Sequence, residues 1–259
     1  MSEFFGFGGY ARQPEGAYSW QHLTFVAALM AIMTVLAVAL GRRNKNRSDR
    51  IKNRVLIWAA ILIDGFEICK LMIAVAKNGG DPSCLLIDLP LFLCSIQLIT
   101  IPLAAFCKGR VREASLDFVM IFGILGAVLG TVGAAQNYNA YPVLGWDNVV
   151  SGITHCISGF ASLYIAISGM ASMKKADVPF TLGILSFFCV AAYVVNRLVD
   201  YNYMFLMAGD GTPYDILFNL VGGHKVFYPV CVVLLFFVYI LSYYGIFYLI
   251  THRKVKEKV

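Results

Sequence analysis

Apolar runs of bilayer-crossing length recur along most of this chain, and their spacing limits the fold more than any other feature. A helix needs about 20 apolar residues to span the hydrocarbon core. Seven stretches approach or exceed that length: Trp20 to Gly41, Ile51 to Ala76, Cys84 to Phe106, Ala114 to Ala134, Val149 to Met173, Val178 to Leu206 and Val226 to Thr251. Backbone groups inside a bilayer have no water to bond, so segments of this kind must be helical. The expected fold is all-α, a polytopic membrane protein with seven transmembrane helices forming one domain over residues 1–259. Composition agrees: 14% of the residues are charged, against about 25% in soluble domains.

Charge fixes the expected orientation. Arg42, Arg43, Lys45, Arg47, Arg50, Lys52 and Arg54 fill the first loop, Lys108, Arg110 and Arg112 the third, and Lys174 and Lys175 the fifth, while Arg253, Lys254, Lys256 and Lys258 lie in the tail. Only Arg12, Lys77 and Lys225 fall on the other side. The positive-inside rule places the N-terminus outside and the C-terminus in the cytoplasm. Residues 1–19 read as an external interfacial segment, rich in aromatic residues and without a cleavable signal peptide. Residues 252–259 read as a cytoplasmic basic tail. The net charge of +6 is explained by these loops, so no nucleic-acid partner is expected. The seven cysteines are scattered without a CxxC pair, which indicates neither a disulfide framework nor a metal site. No cofactor is implied.

Against this apolar background the polar residues inside the runs stand out. Asp88-Leu89-Pro90-Leu91-Phe92-Leu93-Cys94, followed by Ser95 and Gln97, places an acid, a proline, a thiol and an amide within one run. Ionisable residues at membrane depth usually face the protein interior, and Pro90 frees backbone carbonyls. The run is read as a kinked helix forming one wall of a buried site. In the second helix Asp64, Glu67 and Lys70 recur every three residues and share a face; Glu67 and Lys70 can form an ion pair, or wall the site opposite the third helix. Gly123, Gly126, Gly130 and Gly133 on the fourth helix suit close backbone approach. Thr154-His155-Cys156 lies in the fifth helix. Asn196, Arg197 and Asp200 close the sixth, where Arg197 and Asp200 can pair. The last helix has no lysine between Val226 and Thr251, which rules out the retinal Schiff base of a microbial rhodopsin.

These residues are compatible with nucleophilic chemistry. A thiol attacks as thiolate, and an imidazole can take its proton. Cys94 with His155 would supply that pair, Asp88 or Glu67 would orient the imidazole, and Lys70, Arg197 or Asn196 could stabilise an oxyanion. The acids Asp64, Glu67, Asp88 and Asp200 outnumber Lys70 and Arg197, which also fits proton- or cation-coupled transport of a small polar solute. The odd helix number and the lack of an internal repeat weigh against that alternative.

Leu89-Pro90-Leu91-Phe92-Leu93-Cys94 resembles the LPLxLC motif of the bacterial YwaF-like integral membrane protein family. His155 and Asn202-Tyr203-Met204-Phe205-Leu206 are similar to its next two signatures, and Glu67 matches a family glutamate. Phe92, where many relatives carry histidine, and Gly222 to Tyr228, in place of a PWPWY-like stretch, depart from the pattern. That family is distantly similar to animal transmembrane ether-phospholipid acyltransferases that work through a cysteine, and to membrane hydrolases of fatty-acid esters. The resemblance implies a lipid acyltransferase or acyl hydrolase with Cys94 as acyl-accepting nucleophile and His155 as its base. Glu67, Lys70, Asp88, Gln97, Asn196, Arg197, Asp200 and Asn202 are the expected supporting or substrate-binding residues. Membrane lipids are the expected partners, and a bacterial cell membrane is the expected location.

Overall fold

The computed structural model describes residues 2–256. Helices dominate: α1 (Ser2–Phe5), α2 (Trp20–Asn44), α3 (Asp49–Lys77), α4 (Gln97–Phe106), α5 (Gly109–Leu129), α6 (Ala135–Ala140), α7 (Trp146–Ser168), α8 (Val178–Val199), α9 (Tyr214–Leu220) and α10 (Phe227–Lys256), with 3-10 turns at Pro82–Ile87, Lys175–Asp177 and Tyr203–Phe205. Of the basic tail expected over residues 252–259, residues 257–259 lie outside the described residues.

Among the described residues four helices are long and apolar enough to cross a membrane: Trp20–Asn44, Trp146–Ser168, Lys175–Val199 and Phe227–Thr251. Their outward faces carry exposed apolar side chains, such as Ile32 and Val35 on α2, Phe187, Val190 and Leu198 on α8, and Leu234 and Ile246 on α10. Polar groups instead turn inward; Gln97, Thr100, Ser115, Asp117 and Asn196 are all buried. That inversion suits a protein whose surroundings are apolar. The chain is a multi-pass membrane protein.

Local chemistry sets the ends. Ser19 caps α2 by accepting from the His22 N–H at 3.3 Å, satisfying one of the orphan donors of the first turn. Arg42 and Arg43 lie in its last turn, where cations complement the helix dipole. Gly169, at φ 70°, ends α7 in the left-handed region that glycine enters without Cβ strain.

Contacts fix the alternation of the long helices between two ends. Lys77, closing α3, meets Asp147 in the first turn of α7 at 2.6 Å. At the other end, the Tyr164 hydroxyl near the close of α7 donates to the Lys52 carbonyl at 3.0 Å, and the Tyr244 hydroxyl of α10 donates to Asp117 of α5 at 2.7 Å. The tightest helix pair is α5 against α7. A Cβ at Gly123 would come within 2.6 Å of the Ser158 carbonyl oxygen, and the Ser162 hydroxyl donates to the Met120 carbonyl at 2.7 Å. Small residues allow that approach, as the glycine spacing implied.

Two expectations are corrected. The run from Cys84 to Phe106 is not one kinked helix: it is a 3-10 turn at Pro82–Ile87, an irregular stretch through Asp88 to Ile96, and a helix of only 10 residues, Gln97–Phe106. Pro82 and Pro90 each remove a donor, and the unwound backbone finds partners elsewhere. The sixth run also stops early, at Val199, where Asp200 enters the left-handed region at φ 52°. Residues 200–213 then form turns, with Met204 and Phe205 also at positive φ. Hydropathy averages over a window and does not register these breaks.

The N-terminal segment folds over the start of α7. The Tyr10 hydroxyl donates to Asp147 at 2.6 Å, the Val143 N–H donates to Glu15 at 2.8 Å, and Phe5 packs against Trp146 with ring centroids 5.3 Å apart. Burial and the adjoining Asp147 carboxylate push the Tyr10 phenol above its usual range.

Candidate active site

The irregular stretch from Asp88 to Ile96 forms the centre of the site, and it is held from two sides. From α3, the Lys70 ammonium reaches Asp88 Oδ1 at 3.0 Å and Glu67 Oε1 at 2.7 Å. Glu67 and Lys70 therefore pair with each other, and Lys70 links α3 to the third run through Asp88. From the opposite side comes the turn after α8. Both ends of the Asn196 amide grip Tyr203, donating to its carbonyl at 3.0 Å and accepting from its N–H at 2.7 Å. The Tyr203 hydroxyl in turn donates to the Leu86 carbonyl, one of the groups released by the missing helix. Phe92 packs edge-on against Tyr203 at 5.2 Å and lies near Tyr201 and Phe205. The two most specific motifs in the sequence are thus packed on each other.

Cys94 and His155 sit against the glycine face of α5. The Cys94 Cβ lies 3.4 Å from where a Cβ on Gly126 would be, and the His155 ring occupies the space that a Cβ on Gly130 would need. Those glycines are one helical turn apart, about 6 Å of rise. Close packing of α5 on α7 sets the imidazole against α5 about one turn from the level of the thiol. No protein hydrogen-bond partner holds the imidazole among the described residues.

Two cavities meet at this pair. One, of about 440 Å³, runs from Phe122 and Phe236 up past Cys94 and His155 to Asn137, Asn202 and Asp210 at its rim. Its walls are mainly apolar, and its size falls in the usual range for small-molecule sites, about 300–1,000 Å³. The other, of about 70 Å³, is lined by Glu67, Lys70, Ser95, Ser151, Thr154 and Ser158 as well as by Cys94 and His155. The thiol and the imidazole are common walls of an apolar cavity and a small polar chamber.

The remaining candidates lie at varied distances from that junction. Asn202 is on the rim of the large cavity, where its amide donates to the Ala208 carbonyl at 2.8 Å and to Asp210 at 2.6 Å. Gln97 is fully buried at the start of α4, accepting from Thr100 at 3.2 Å, and borders neither cavity. Arg197 is exposed on α8 and donates to the Tyr193 hydroxyl at 3.2 Å rather than pairing with Asp200. Asp200 is an exposed helix-ending residue. Asp64 is half-buried on α3.

Ser95 falls within the motif from Asp88 to Gln97, but sequence reasoning did not single out Ser151 and Ser158, which with it complete the polar chamber, nor the rim residues Asn137 and Asp210. The signal for the chamber lay in hydroxyls one helical turn apart on α7, at Ser151, Thr154 and Ser158, which share the face of His155. Gly126 and Gly130 were read as packing residues; they also make the floor on which the pair rests. Among the described residues there is no cluster of three or more histidine, cysteine or acidic side chains able to hold a metal ion.

The chain matches no curated protein and no solved structure. The TMEM164 family, however, matches over residues 17–244, a span that takes in the long helices, the unwound motif, the imidazole and the turn that grips them. On that match the chain belongs to the TMEM164 family.

Proposed function

We propose that the protein is a membrane lipid acyltransferase or acyl hydrolase that works through a thioester on Cys94. The observation that carries this reading is the shared position of Cys94 and His155 between an apolar cavity of about 440 Å³ and a polar chamber of about 70 Å³. An acyl chain suits the first, and the carbonyl oxygen of its ester suits the second. The resemblance to the YwaF-like proteins, and through them to ether-phospholipid acyltransferases, points the same way.

In the proposed reaction His155 takes the thiol proton as sulfur attacks the acyl carbonyl. The C–S bond forms, the carbonyl electron pair moves onto oxygen, and collapse expels the alcohol, which receives the proton from His155. A lipid hydroxyl or water then attacks the thioester by the reverse route and frees Cys94. Phospholipids or other acyl lipids are the proposed partners, entering from the bilayer. The site would belong to a single seven-pass domain in which α2, α3, α5, α7, α8 and α10 cross as helices and the unwound stretch from Asp88 to Ile96 together with α4 makes the third crossing. Its N-terminus would lie outside and its C-terminus in the cytoplasm of a bacterial cell membrane. The carboxylates of a transport pathway, Glu67 and Asp88, are both engaged by Lys70, which favours a fixed electrostatic site over a conduit.

Turnover of a long-chain fluorogenic ester by the purified protein in lipid nanodiscs tests the reading. Cys94→Ala and His155→Ala should each abolish turnover while the elution volume and thermal unfolding stay those of wild type. Turnover retained by folded Cys94→Ala would end the proposal.

A further inference from the structure

Lys70, Arg197 and Asn196 are the cationic and amide side chains that the sequence offers for the oxyanion of acyl transfer, and the structure separates them. Asn196 has both ends of its amide committed to the Tyr203 backbone. Arg197 is exposed on the outer face of α8, against Tyr193. Lys70 alone lines the small polar chamber together with Cys94 and His155. An ammonium has three N–H donors. Glu67 at 2.7 Å and Asp88 at 3.0 Å take two of them, and the third has no protein acceptor among the described residues. Both carboxylates also fix where the ammonium sits, so its charge is already in place when the reaction begins. Electrostatic stabilisation acts most strongly when the donor is held in advance and water is excluded.

We infer that Lys70 is the oxyanion-stabilising residue of this site, with Glu67 and Asp88 as positioning residues that aim it into the chamber beside Cys94. The inference rests on the acyl-transfer reading above and names the group that such a reaction needs. As sulfur attacks, the carbonyl electron pair becomes an alkoxide in the chamber, and the free Lys70 N–H donates to it. No proton is transferred from Lys70; His155 alone carries the proton from thiol to leaving alcohol. Collapse of the intermediate returns the electron pair to the carbonyl and releases the Lys70 hydrogen bond. The chamber's volume of about 70 Å³ is small beside the 440 Å³ of the apolar cavity, which suits an oxyanion better than an acyl chain.

The test compares acylation with alkylation at the same sulfur in full-length protein in nanodiscs. 4-Methylumbelliferyl oleate reports acylation through its fluorescent burst, and iodoacetamide reports thiol reactivity without forming an oxyanion. Lys70→Met leaves two carboxylates facing each other, so the neutral variant Glu67→Gln/Lys70→Met/Asp88→Asn is measured beside it. Loss of one such donor costs about 100- to 1,000-fold in rate. The expected result is a burst slowed at least about 100-fold in both variants, at little-changed KM, with alkylation of Cys94 in the neutral variant within several-fold of wild type. Bursts within about threefold of wild type would overturn the assignment. So would acylation and alkylation falling together in the neutral variant, because Lys70 would then be acting on the thiol or the fold. Wild-type protein with no Cys94-dependent burst would instead refute acyl transfer itself, and Lys70's role with it.

Discussion

Gly130→Ala puts one methyl group into the centre of the site, where its effect can be worked out from the structure. Gly130 has φ −78° and ψ −3° at the end of α5, a conformation that alanine adopts freely, so the backbone loses nothing. Removing a glycine from a helix end of this kind would by itself stabilise the protein by about 0.4–1 kcal/mol. The new Cβ, however, falls on the ring of His155, inside contact distance of Cε1, Nδ1 and Nε2. Overpacking typically costs about 1–3 kcal/mol, leaving a net loss between near zero and about 2.6 kcal/mol. The ring must leave its place against α5, and a displacement near 1 Å can cost about 100-fold in rate. Gly126→Ala is the control, because its Cβ meets Cys94 at 3.4 Å, an ordinary contact. Thermal unfolding and the ester burst should show Gly130→Ala folded but about 100-fold slower, with Gly126→Ala within tenfold of wild type. Equal bursts in Gly130→Ala and wild type would refute the placement of His155 as the working base.

Other substitutions probe the supports. Asn196→Ala leaves the buried Tyr203 N–H without a partner and takes one of two donors from the Tyr203 carbonyl, which keeps the Leu206 N–H at 3.3 Å; with one orphaned group the loss should be about 1–3 kcal/mol, read by denaturation in detergent. Gly123→Ala drives a methyl towards the Ser158 carbonyl oxygen at 2.6 Å, a backbone atom that cannot turn aside, so α5 and α7 must separate at a cost of about 1–3 kcal/mol. Asp147→Ala removes the carboxylate shared by Tyr10 and Lys77. It should release the N-terminal segment, giving faster proteolytic cleavage before Trp20 with the long helices intact.

The sequence conveys the long helices well because each is written in a continuous apolar run. The starts of α2 and α10 fall within a residue of the expected Trp20 and Val226. It conveys less about where helices stop. Asp88 to Ile96 is apolar on average, and Asp200 to Leu206 extends an apolar run despite Asp200 and Asn202, yet Pro90, the Lys70 ion pairs and the Asn196 grip make unwound backbone the better solution. That Cys94 and His155 could serve one site was suggested by chemistry alone, since a thiol and an imidazole occur in the third and fifth runs. Their shared cavity was not, because it depends on which face of α5 lies between them. Lys70, Asn196 and Arg197 looked equivalent as amide or cationic donors until their partners were known. Asn196 is spent on backbone and Arg197 on a surface tyrosine.

The central claim is covalent acyl chemistry at Cys94, and intact-protein mass spectrometry after gentle extraction with native-like lipids tests it most directly. Wild type, and more so a His155 variant slowed in deacylation, should carry a hydroxylamine-sensitive acyl adduct that maps to Cys94 and is absent from Cys94→Ala. An unmodified mass in all three proteins, after incubation with acyl lipids, would contradict the account.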